Sequence, residues 1–278
     1  MSRSLWTEEK IARFVKEGRG RGHGASYKPF IEVADLSSSG FSHRVPSRKT
    51  GRIHHLLSNI EYEFFLMLEW NQDVIDIREQ FPLPRELTLA VASENRLCHP
   101  TYPGTKVPTV MTVDTVVTRL IGGQEAMECY DIKPTSEAQN YRSIEKLEIT
   151  RLACEEQGCP HRLIFDTMLP KTKIKNLKWI RSAQIQEGED DVQDLLADHT
   201  ARLFHFLSRE PKDKTLRQCC ETYDSTIGLM PGSALRFARV LMFERALAPN
   251  LGRDDIPNAP LGEFQFFAQA GLLRAVGE

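Results

Sequence analysis

Hydrophobic and polar positions along the 278-residue chain change their period several times, and each change marks an element. Thr7 precedes "EEKIARFVKEG", with acids in its first turn and Gly18 at its end, so a capped helix is expected there. "GRGRGHG" (18–24) follows as a loop whose backbone allows close approach of a partner. Residues 26–57 are mixed, with short extended pieces at "FIEV" and "GRIHHLL" and a turn at Thr50-Gly51. In 58–71, Ile60, Phe64, Met67 and Leu68 keep helical spacing behind Ser58, a good N-cap. "VIDIREQF" (74–81) alternates as a strand and stops at Pro82. "VPTVMTVDTVVTRL" (107–120) is β-branched, and Gly122-Gly123 joins it to "QEAMECYDIK" (124–133) as a hairpin. An amphipathic helix over 136–157 and a strand at 161–167 complete this half.

The order helix, strand, hairpin, helix, strand predicts an α/β fold, a mixed sheet flanked by helices. Beyond "LPKTKIK" the texture turns helical, with candidates at 173–183, 190–208, 213–222 and 233–247. The boundary falls near 168–172, giving domains of 1–168 and 169–278. Helical patterns on either side of "TIGLMPGS" are compatible with a helix-turn-helix or winged-helix core. The apolar stripe of "FQFFAQAGLLRA" reads as a packed helix or a partner-binding segment.

Composition narrows the class. With 41% hydrophobic and 27% charged residues, the chain can bury a sizeable core. No apolar run approaches 18 residues and the N-terminus lacks a signal-peptide core, so neither membrane nor export is expected. The six cysteines show no C-x-x-C spacing. Cys154-x4-Cys159-Pro160-His161 has no second ligand pair, so ordinary thiols in a reducing cytoplasm are expected. The net charge of −2 conceals a basic start: residues 1–57 hold eleven Lys or Arg against five acids, a net +6. Conversely, 187–198 is acidic. A local anionic partner is implied.

Candidate chemistry lies in the hairpin. Asp114 interrupts the apolar run "TVDTVV", and a buried carboxylate needs a cation or donors. Asp131 and Lys133 share a strand face by period two, while Ile132 points to the other. Pairing of the hairpin would bring Asp114, Asp131, the Ile132 carbonyl and Lys133 together. Oxygen donors of this kind suit Mg²⁺ or Mn²⁺ rather than zinc. The pattern D-x(n)-D-x-K is that of restriction-endonuclease-like nucleases, although D-x-K alone also describes a solvated salt bridge. A third acid, Glu61, stands three residues after Ser58, where it serves a capping box, an ion, or both. Glu63 is the competing acid.

The segments "IARFVKEGRGRGHGASYKPFIEV", "SSSGFSHRVPSRKTGRIHHLLSNIEYEFFLMLEW" and "VIDIREQFPL" strongly resemble the TnsA family, the endonuclease subunits of heteromeric bacterial transposases. The similarity is dense over 11–82, continues through the Asp114 strand, "DIKP" and "EKLE", and fades after about 170. The resemblance implies cutting at the 5′ ends of a transposon. A TnsB-like recombinase would cut and join the 3′ ends, and a TnsC-like ATPase regulator would connect both to target selection. It also implies a winged-helix-like C-terminal domain, where the acidic approach at 187–198 argues for docking of a protein partner over extensive DNA binding. The ungapped match places the family's helix acid on Glu61, its strand aspartate on Asp114 and its lysine on Lys133. The position of Asp131 is not reliably acidic in the family, where an amide can occupy it, so Asp131 follows the general nuclease pattern instead.

The basic start supplies Arg19, Arg21, Arg44, Arg48, Lys49 and Arg52, interleaved with Gly and Ser. That texture suits DNA phosphate contact, against the plainer alternative of a solvated basic surface. No G-K-[ST] follows the glycines, so they form no nucleotide loop. Adjacent His54 and His55 on a strand would point to opposite faces and not form one site. The function expected is a Mg²⁺-dependent DNA endonuclease subunit of a transposase. A stand-alone restriction or repair nuclease and a catalytically silent adaptor remain the alternatives.

Overall fold

The computed structural model describes residues 6–35, 41–184 and 193–267. The chain divides into two units, 1–169 and 170–278. The segment 187–192 of the acidic run and most of "FQFFAQAGLLRA" lie outside the described residues.

In the first unit, α1 (Glu8–Lys16) starts where Thr7 Oγ1 accepts the Lys10 N–H at 3.3 Å. It buries Ile11 and Phe14 against Phe30, Tyr102 and Val110. At Gly20 the glycine-rich loop approaches its own chain closely. Gly20 has φ +76°, and a Cβ there would stand 2.1 Å from Pro82 Cγ, so no side chain is tolerated. "FIEV" forms no strand. The Phe30 amide bonds to the Gln80 carbonyl, and Asp35 accepts the Glu32 N–H at 2.9 Å, turning 33–35 into a 3₁₀ turn. The hairpin β1 (His43–Ser47) and β2 (Arg52–Leu56) turns through Gly51 at φ +70°.

Next come α2 (Asn59–Trp70), β3 (Val74–Pro82), α3 (Arg85–Glu94), β4 (Thr112–Ile121), β5 (Gln124–Lys133), α4 (Tyr141–Glu156) and β6 (His161–Phe165). The sheet order is β3-β4-β5-β6. The first two pairings are antiparallel and β5–β6 is parallel, so a crossover is required, and α4 provides it. This is the expected mixed sheet flanked by helices. The strand expected from 107 begins at 112, because Pro108 offers no amide to a ladder and instead sits in an isolated bridge with Thr101. The helix expected from 136 begins at 141, where Asn140 Oδ1 caps the Ser143 N–H at 3.1 Å. Val116 and Cys129 pack with Val91, Ala92, Ile149, Ala153 and Cys154 of α3 and α4. Tyr130, the next residue, faces the other side, where Phe64 of α2 meets its ring at 5.0 Å.

The second unit is mostly helical: α5 (Lys171–Arg181), α6 (Gln193–Arg209), α7 (Leu216–Ile227) and α8 (Ser233–Phe243), with a short ladder between β7 (Leu247–Ala248) and β8 (Gln265–Phe266). Thr215 and Gln218 make a reciprocal capping box at α7, and Gly228 ends that helix in the left-handed region. Buried Asp224 then accepts the Gly232 and Ala234 N–H groups at 2.8 Å each. One carboxylate thereby fixes the α7–α8 turn and caps α8.

Candidate active site

Thr115 of β4 pairs with Tyr130 of β5, so the next step along the ladder brings Asp114 beside Asp131. Both are buried. Asp114 Oδ2 accepts Lys133 Nζ at 2.6 Å and the Ile132 N–H at 2.8 Å. Asp131 Oδ1 accepts the Asp114 N–H at 3.3 Å, and its Oδ2 lies 2.8 Å from His161 Nε2. Lys133 keeps 28% of its side-chain surface exposed, so its ammonium is within reach of solvent. Thr135, just beyond Pro134, donates from its N–H and hydroxyl to Asp166 Oδ1 at 2.7 and 2.5 Å. This ties the end of β5 to the end of β6.

Glu61 comes from the first turn of α2. Ser58 Oγ accepts the Glu61 N–H at 3.2 Å, while Glu61 accepts the Ser58 hydroxyl at 2.9 Å and the Leu57 N–H at 3.1 Å. The cap is real, and it does not isolate the carboxyl from the strand end. Burial pushes Glu61 up to about 7, the Asp114 charge adds to that rise, and Lys133 opposes it. Burial likewise raises Asp114 against the pull of Lys133. Burial works against the charge of Lys133, but Asp114 and Asp131 overcome it and hold the ammonium above its ordinary range. Glu63 lies on another side of α2 by the rotation of successive helical positions.

Among the described residues, no three Asp, Glu, His or Cys side chains are grouped so as to hold a metal ion by themselves. Lys133 occupies Asp114, and the cap occupies Glu61. The donor chemistry nevertheless fits a hard divalent cation. Three buried carboxylates around one lysine leave surplus negative charge, and the donors are oxygens.

The basic segment divides. Arg19 is committed to Asp35, to Glu17 at 3.0 Å and to the Phe14 ring at 3.7 Å. Lys49 Nζ donates to the Asn71 carbonyl at 2.9 Å and to that of Val74. Arg52 grips Glu79 through both terminal nitrogens, at 2.7 and 2.5 Å, and donates to the Ile77 carbonyl. Each of these three cations has partners within its own chain, and Arg52 serves the fully buried Glu79 carboxylate, which needs donors. Arg21, Arg44 and Arg48 are exposed. His54 and His55 do turn to different partners: His54 to Thr50 and Glu79, His55 to the Val33 N–H. His43 links the hairpin to the α2 start, with Nε2 2.7 Å from Asn59 Oδ1 and its ring 4.5 Å from Tyr62.

His161 is the site residue that local pattern did not reveal. Its contact with Asp131 spans 30 residues and arises from the parallel β5–β6 pairing.

A mixed sheet whose central strands end in two aspartates and a lysine, with a glutamate brought by the preceding helix, defines a nuclease of the restriction-endonuclease-like class. A family model described as TnsA-like endonuclease N terminal matches residues 71–166. A second, described as TnsA endonuclease C terminal, matches 169–251. Transposon Tn7 transposition protein TnsA of Escherichia coli is 37% identical over 238 residues, 86% of this chain and 84% of that protein. The chain belongs to the TnsA family of transposition endonucleases.

Proposed function

We propose that this chain hydrolyses phosphodiesters at the 5′ ends of a transposon, acting in the bacterial cytoplasm beside a TnsB-like recombinase that handles the 3′ ends. A TnsC-like ATPase would couple both to target choice. The observation that carries this reading is Asp114 Oδ2 receiving Lys133 Nζ at 2.6 Å next to Asp131, within the field of Glu61.

Glu61, Asp114, Asp131 and the Ile132 carbonyl would hold Mg²⁺, with Mn²⁺ as its substitute. Such an ion, when bound, supplies positive charge against the phosphate and acidifies water in its shell. Lys133, kept charged by its acids, acts as a donor that orients the attacking water and stabilises charge on the phosphoryl oxygens. A role as base would first require the charge of Asp114 to be neutralised. Arg21, Arg44 and Arg48 would meet backbone phosphates. The second unit, with its capped α7–α8 turn and β7–β8 ladder, would be a winged-helix-like module that docks the protein partners.

Add-back to a reconstituted transposition mixture tests this. Cuts are mapped strand by strand on transposon-end DNA, with the chain absent, alone, or joined by its partners and Mg²⁺. The expected result is 5′ cutting only when chain, recombinase and cation are together. Efficient cutting by the chain alone would favour a stand-alone nuclease, and unchanged 5′ cutting in its absence would leave an adaptor.

A further inference from the structure

His161 opens β6, and none of the chemistry above uses its ring. β6 runs parallel to β5 with His161 opposite Cys129, so His161 stands two positions behind Asp131 on the same face. Both side chains are 4% exposed. A carboxylate only accepts, so in the 2.8 Å contact the proton sits on His161 Nε2. The other Asp131 oxygen accepts the Asp114 amide. Asp131 is therefore held from both neighbouring strands, through backbone on the β4 side and a side chain on the β6 side. Lys133 directs its hydrogen bond to Asp114. Rotation about the last bond of an aspartate is broad and roughly two-fold. With the 3.3 Å amide contact alone, the Asp131 carboxylate would be loosely aimed.

We propose that His161 is a positioning residue of the nuclease site, fixing the rotation of the Asp131 carboxylate so that its remaining lone pairs stay turned to the Asp114–Lys133 end. The proposal rests on Asp131 being a cation ligand in the function proposed above. The plainer role, a donor that merely satisfies a buried acid, would affect stability alone.

The test uses full-length wild type, His161→Leu, Asp131→Asn and the double variant. Mn²⁺ affinity is read by calorimetry, and 5′ cutting in the reconstituted mixture. His161→Leu is expected to weaken Mn²⁺ binding and slow cutting by about 10–100-fold, the usual cost of losing a partner behind a metal ligand. The double variant should be within about threefold of the worse single one, because both act through one carboxylate. Wild-type Mn²⁺ affinity and cutting in His161→Leu overturn the proposal. So do losses that multiply in the double variant, or a His161→Leu defect where Asp131→Asn has none. If His161→Leu does not fold, His161→Phe replaces it, since its ring keeps the bulk of the imidazole and offers no N–H to Asp131. A loss of about tenfold or more then upholds the proposal, and a smaller one overturns it. Asp114→Ala separates the two levels. If it binds Mn²⁺ and cuts normally, the site itself is misassigned; if it is inactive while His161→Leu is normal, only the role of His161 falls.

Discussion

Each charged group at the strand end is both a structural problem and a chemical resource. Lys133 is kept protonated by Asp114 and Asp131, so its contribution is a fixed positive donor. Lys133→Ala should slow 5′ cutting by about 10²–10³-fold, as removal of one preorganised donor does elsewhere, and should also lower the thermal midpoint, because buried Asp114 loses its cation. Glu61 is divided between cap and site, and two variants separate those roles. Ser58→Ala should cost about 1 kcal/mol of stability, the usual worth of an N-cap, and retain cutting. Glu61→Gln should fold, since burial already disfavours its charge, and lose cutting. Unfolding curves and strand-mapped cleavage measure both. Asp114, Asp131 and Lys133 were legible from the chain because a hairpin register is short-range. His161 was not, because its partner depends on a parallel crossover that no local period encodes.

At the scale of elements, the β1–β2 hairpin is anchored more than displayed. Burial would raise Glu79, but bonds from Arg52 and His54 overcome it and bring it down to about 2. A carboxylate lowered in the folded state stabilises the fold above its unfolded value near 4.5, and that contribution is lost as pH falls toward 2. The loss should reach the order of 3 kcal/mol, visible as a falling urea midpoint below pH 4.5. Arg52→Ala, which strands a buried carboxylate, should cost about 3 kcal/mol at neutral pH. By contrast, Arg21→Ala and Arg44→Ala should leave stability nearly unchanged, weaken DNA binding, and lower the salt slope by about 1 each. The run of basic residues marks this segment, but composition does not show which side chains meet an acid two dozen residues away. α3 escaped the chain pattern for a similar reason: Pro84 precedes it without a side-chain cap, so the usual start signal is missing.

Across the whole molecule, the family models cover 71–166 and 169–251 in turn. The catalytic candidates all fall in the first unit. The second contributes a helical body whose α7–α8 turn is fixed by Asp224. The alternation of β3, the β-branched run of β4 and the Gly122-Gly123 turn into β5 made the sheet legible from sequence, whereas the β7–β8 ladder is too short to leave a period-two signal. The central claim is that this chain cuts the 5′ strand with Asp114 at the centre of its site. The most direct measurement is strand-specific mapping of cuts on transposon-end DNA in a reconstituted mixture carrying Asp114→Ala. The 5′ cuts are expected to disappear while the recombinase's 3′ cuts persist; 5′ cuts at the wild-type rate would remove Asp114 from the chemistry.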